Sequence, residues 1–135
     1  MQADESGRDA CLKLRQVTLP RGLKTLPAYI FTNCDGLKTV EIPASVTEIG
    51  YGAFFASGIT EITVPEGVTA IGENAFYSCK ALTKATLSGT ISGTLTNVFD
   101  SCDQLTDVYF GGSPEAWQAL QANLLSQTKV HFKKA

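Results

Sequence analysis

Four cysteines and one histidine are the residues of this 135-residue sequence best suited to chemistry. Thiolate and imidazole are the usual zinc ligands, and a Cys/His pair is the minimum for thiol nucleophilic catalysis. Their spacing argues against both. Cys11, Cys34, Cys79 and Cys102 include no C-x-x-C pair, and His131 stands alone near the end of the chain. Acid–base or nucleophilic catalysis needs a convergent set of titratable groups. There is no P-loop and no Rossmann glycine pattern, and "RGLK" and "GYGAF" read as turns. The expectation is no catalytic residue, no metal, no cofactor and no enzymatic activity.

What places the cysteines is a repeat. Phe31, Phe54, Phe76 and Phe99 lie 23, 22 and 23 residues apart. Twelve residues before each stands an aliphatic, Leu19, Ile42, Val64 or Leu87; the first three are followed by Pro20, Pro43 and Pro65, the last by Ser88. Further columns run through Val17, Val40, Ile62 and Ala85, and through Leu14, Leu37, Ile59 and Leu82, continuing into Leu105, Val108 and Phe110. The four cysteines all fall three residues before the last of these columns, so cysteine is a small buried apolar residue first. Stacked units would bring Cys11 near Cys34, and Cys79 near Cys102, at about 5 Å between Cα atoms. Parallel Cβ vectors would still hold the sulfurs apart. A reduced ladder is expected, with bridged pairs as the alternative.

A period of 22 or 23 residues lies in the window of solenoid repeats. In "LKTVEIP", Val40 and Ile42 alternate with Thr39 and Glu41, as in a strand with one buried face. Proline then ends the strand because it lacks an N–H. "VTEIG" reads as a second short extended piece closed by Gly50, a residue able to take positive φ. "YGAFFAS" and "ENAFYSC" are long enough for one α or 3₁₀ turn that drops Ala and Phe inward. Comparing "VTEIGYGAF" with "VTAIGENAF", the positions that differ, Glu48 against Ala70 and Tyr51-Gly52 against Glu73-Asn74, are expected to face solvent. The fourth unit departs from the pattern at Ser88, Thr94 and Leu95, so its turn geometry is expected to differ.

After Phe110 the pattern changes. Ser113 as N-cap, Pro114 at the first helical position and Glu115 in the first turn predict a helix over 114–125. Trp117, Leu120 and Leu124 form its apolar stripe. "KVHF" predicts a strand over 129–132, with His131 on the exposed side by alternation. Trp117 could stack on a sugar, but a plug for the last coil is the better reading, since a solenoid needs its end covered.

These units resemble the BspA-like, or LRR_5 type, leucine-rich repeats of bacterial and some protist surface proteins. The resemblance rests on four "IP…V…IG…AF…C" type units between Cys11 and about Phe110, and the "W…VHF" ending is similar to a recurrent terminal unit of the same family. It implies an α/β solenoid of leucine-rich repeat type, with a parallel sheet on one face, short helical turns on the other and a C-terminal helix-strand cap. The expected organisation is a linker over 1–10, a solenoid of four to five units over 11–110 and a cap over 111–135. The resemblance further implies a cell-surface or secreted location and a role in adhesion to host, cell or matrix proteins.

The formal net charge of −2, from 11 basic and 13 acidic residues without a run of either sign, gives no electrostatic footprint for a nucleic acid. No stretch is apolar enough for membrane insertion, and the first ten residues lack signal-peptide regions, as expected either of a cytoplasmic protein or of a piece of a secreted chain. Nothing apolar precedes Leu12 to cover the first coil, so further repeats, fraying or self-association at that end are expected. A protein partner would meet the outward strand positions: Gln16, Thr39, Glu61, Lys84 and Asp107 in one row, and Thr18, Glu41, Thr63, Thr86 and Tyr109 beside them. Tyr109 is the best anchor by type. Two other readings stay open: a structural spacer or cap without a ligand, and a carbohydrate-binding module, which would want two or more exposed aromatics on one face.

Overall fold

The 22- and 23-residue period becomes strand register. The computed structural model describes residues 14–132; the expected linker over 1–10, Cys11 and the start of the first coil lie outside them. Three short parallel strands, β1 (Thr25–Leu26), β2 (Glu48–Ile49) and β4 (Ala70–Ile71), form one sheet. Four more, β3 (Glu61–Thr63), β5 (Lys84–Leu87), β6 (Asp107–Phe110) and β7 (Lys129–Phe132), form a second parallel sheet in that order. Glu61 faces Lys84, Lys84 faces Asp107 and Asp107 faces Lys129. Each coil therefore lies on the one before it, a parallel-sheet solenoid.

The third side carries the phenylalanines. Phe31, Phe54, Phe76 and Phe99 stack with centroids 5.3, 5.2 and 5.4 Å apart, the last two steps nearly coplanar. The short turns expected here are tight turns shared between coils rather than isolated helix. The N–H groups of Tyr29, Phe31 and Asn33 donate to Tyr51, Ala53 and Phe55 in the next coil, while those between them bond three residues back. An α-helix would keep every such bond to itself. Sending alternate N–H groups to the neighbour requires left-handed residues, and Tyr29, Asn33, Gly52, Ala56, Asn74 and Ser78 all have φ near +60°. Hydroxyls tie the corners: Thr60, Thr83 and Thr106 each donate to a carbonyl of the preceding coil, and so do Thr47 and Thr69 in a second column.

Gly50 and Gly72 are glycines for a different reason from the one expected. Neither has positive φ. A Cβ on Gly50 would sit 2.7 Å from Leu26 O, and one on Gly72 would sit 2.5 Å from Tyr51 N, so the constraint is the backbone of the neighbouring coil. The fourth coil carries Leu95 at this column and leaves the ladder: Thr94 is exposed, Leu95 is turned into the core, and the three-stranded sheet ends at β4. Ser88, which replaces proline, is buried and donates to Val68 O at 3.0 Å.

Two expected elements are shorter than the pattern suggests. Helix α1 spans Pro114–Leu120, with the Ser113 hydroxyl accepting from Ala116 N. It stops before 125 because the chain must return to the coil track: Leu120 O accepts from Leu95 N at 2.6 Å, Gln121 turns left-handed, and Asn123 donates to Thr96 O. Trp117 packs on Phe110 as a plug. On the sheet side, Thr39–Ile42 alternates exposed and buried as expected but forms no ladder. The proline column removes one bond from the strand end. In the last coil, Gly111 N–H donates to Leu87 O at 3.0 Å; Pro43 and Pro65 stand at the equivalent position and have no donor to close the strand end.

Gly72→Ala should therefore cost about 1–3 kcal/mol in chemical denaturation. Gly67→Ala, whose Cβ would meet nothing closer than 3.4 Å, should stay within about 0.5 kcal/mol of wild type.

Candidate functional site: the sheet face

In a strand with one buried face, alternate side chains point outward, and all ten expected face residues lie outside the core. The structure draws six of them into two hydrogen-bonded rows. Glu61, Lys84 and Asp107 are in register and continue into Lys129, a row of alternating charge; Thr63, Thr86 and Tyr109 continue into His131. Gln16, Thr18, Thr39 and Glu41 are exposed beside them without ladder partners.

The face has two halves. At the C-terminal half, His131 Nε2 lies 2.8 Å from Asp107 Oδ1 and the His131 ring stacks on Tyr109 at 4.4 Å. Lys84 Nζ lies 5.1 Å from the centre of the same Tyr109 ring. Because Lys84 comes from β5 and His131 from β7, Tyr109 has neighbours on both flanks and is still exposed. The hydrogen bond from His131, then that from the Thr106 hydroxyl, holds the Asp107 carboxyl below its ordinary value. Extending the 22-residue step from Asp107 and Tyr109 to Lys129 and His131 is the signal in the sequence that points to this cluster.

The N-terminal half is a groove of about 1040 Å³. Its lining includes Thr18, Thr39, Glu41, Glu61 and Thr63 from the expected face, with Arg21 at one side.

The thiols lie elsewhere. Cys79 and Cys102 are buried and free, and their Sγ atoms donate to Phe54 O and Phe76 O at 3.1 and 3.0 Å. Hydrogen bonding with Cys79 and then burial push the Cys102 thiol above its ordinary value. The reduced ladder fails at Cys34, which is disulfide-bonded. Among the described residues, no group of three His, Cys, Asp or Glu side chains could hold a metal ion.

Sequence reasoning missed the turn edge. Tyr29 and Tyr51 are 51% and 42% exposed and meet edge to face at 5.4 Å. Tyr51 Oη accepts from Asn74 Nδ2 at 3.1 Å. Gly52, expected to face solvent, is buried: a Cβ there would meet the Tyr29 ring at 2.7 Å.

The family model for the BspA type leucine-rich repeat region, with 6 copies, matches residues 8–127. The chain belongs to that family. Among solved structures, a leucine-rich repeat protein from Bacteroides ovatus is 28% identical with a TM-score of 0.69, over 90% of this chain and 34% of that one. The T. pallidum leucine-rich repeat protein is 26% identical with a TM-score of 0.68, over 73% and 47%. A leucine-rich cell surface protein from Faecalibacterium prausnitzii, 20% identical with a TM-score of 0.72 over 83% and 36%, shares the fold. The chain thus spans about a third to a half of the length of these proteins. No curated protein matches it.

The depressed Asp107 value predicts a pH signature. A carboxylate held low in the folded state stabilises it above the unfolded value near 3.9, and that contribution is lost as pH falls through the folded value. Asp107→Asn should lower Tm at pH 7, and the gap to wild type should close as the pH is taken well below 4.

Proposed function

We propose that this member of the BspA-type leucine-rich repeat family is a non-catalytic protein-binding module that meets its partner through the parallel-sheet face. The observation that carries the reading is the division of labour along each strand. Inward columns repeat and fill the core, as Ile62, Ala85 and Val108 do, whereas the outward row Glu61, Lys84 and Asp107 changes charge at each coil. A rigid face with side chains fixed by a ladder binds with little ordering cost. Its alternating charges favour register and selective association over bulk hydrophobic contact.

A surface or secreted setting, with an adhesion role, fits the family and the description of the F. prausnitzii relative as a cell surface protein. Among the described residues, no helix is long and apolar enough to cross a membrane.

Reversing charge at Glu41, Glu61 and Lys84 together tests the reading in a pull-down from the native environment. Partner capture should be abolished while the cooperative melting transition is kept, because exposed charges contribute about 0–1 kcal/mol each to stability. Capture that survives the triple change removes the sheet face as the binding surface and leaves a spacer role.

A further inference from the structure

Two buried thiols lie away from the sheet face, and the fold sets them one above the other. Cys34, Ser57, Cys79 and Cys102 each follow a left-handed residue, Asn33, Ala56, Ser78 or Ser101. Each also donates its N–H to the carbonyl of the column phenylalanine three residues back. The four therefore hold one place in successive coils. One step along this column brings side-chain tips into contact: Ser57 Oγ lies 3.6 Å from Cys79 Sγ.

The next step joins two sulfurs. Cys102 Sγ lies 3.0 Å from Phe76 O, the carbonyl that also accepts from Cys79 N–H at 3.3 Å, so the Cys102 side chain leans into the third coil beside Cys79. The two thiols are in mutual hydrogen-bond contact, which holds Cys79 below its ordinary value and pushes Cys102 above it. Coils at strand spacing have equivalent Cα atoms about 5 Å apart, inside the roughly 4.4–6.8 Å of disulfides. The column itself accepts a bridge, since Cys34 is in one and neither Cys79 nor Cys102 is its partner.

We propose that Cys79 and Cys102 are a redox pair that closes into a disulfide between the third and fourth coils on exchange with a disulfide oxidant. The Cys79 thiolate attacks one sulfur of the oxidant and expels a thiolate; the Cys102 thiolate then attacks the Cys79 sulfur and expels the second. The protein gives up two electrons and two protons, and the oxidant becomes two thiols. Both sulfurs are buried, so exchange waits on local opening and is slow. The bridge falls where one ladder ends. The fourth coil leaves the three-stranded sheet at Leu95, and the disulfide ties that coil to the third.

The test equilibrates the folded chain in a series of oxidised and reduced glutathione mixtures, then alkylates free thiols in denaturant and maps tryptic peptides by mass spectrometry. Lys80 and Lys84 separate the two cysteines, so the bridge appears as a linked pair of peptides. A Cys79–Cys102 link is expected, with a rise in Tm of several degrees on oxidation that the Cys102→Ser variant lacks. Serine fits this column, as buried Ser57 shows, so the variant keeps the fold. Alkylation of both Cys79 and Cys102 at every glutathione ratio overturns the inference, and so does a link that forms only when denaturant is present during oxidation. A link that leaves Tm unchanged or lowers it also overturns it, since the bridge would then strain the coils it joins.

Discussion

Each coil of this solenoid must satisfy its backbone with the coil before it, at the spacing of neighbouring strands. That constraint fixes nearly everything else. It places identical residues on top of one another, so phenylalanine meets phenylalanine at 5.2–5.4 Å and threonine hydroxyls climb from carbonyl to carbonyl. It excludes a side chain where backbone meets backbone, at Gly50 and Gly72. It also sets the cost of breaking the pattern. Leu95 cannot occupy the glycine column in register, and the sheet that passes through that column ends one coil earlier.

Function follows from what the constraint leaves free. Inward positions are determined by core packing, and outward positions are not. The second sheet turns that freedom into a surface because its strands share one register over four coils. Its two halves differ in kind. Toward the C-terminus the outward groups satisfy one another, His131 with Asp107 and Tyr109 between His131 and Lys84. Toward the N-terminus the proline column withdraws donors from the ladder, leaving carboxylates and unpaired backbone above an apolar floor. The face is self-paired at one end and unpaired at the other.

Much of this was legible in the residues. The phenylalanine column, the buried aliphatic columns and the outward rows follow from period and alternation, because stacking demands the same residue at the same height in each coil. What was not legible depends on distances between coils. Alternation marks Thr39–Ile42 as a strand, yet it says nothing about whether the neighbouring backbone has a donor to offer. Glycine at 50 and 72 suggested a turn, since local φ is the commoner reason for glycine; close approach of another coil can be seen once that coil is placed. The helix stripe through Leu124 ran past the true end at Leu120 because the return to the coil track is a tertiary demand. The Asp107–His131 and Tyr29–Tyr51 pairs join neighbouring coils, and they emerge when the 22-residue step is carried to outward and turn positions as well as to the core columns.

Amide hydrogen exchange, resolved residue by residue, tests the account most directly. Val64 and the amides of β5 and β6 should exchange slowly, since each is bonded to a neighbouring coil, whereas Glu61 and Thr63 should exchange fast despite lying in the same strand as Ile62. Protection of Glu61 and Thr63 equal to that of Val64 would mean that the ladder is continuous into the preceding coil, and would contradict the lapse between Thr39–Ile42 and β3.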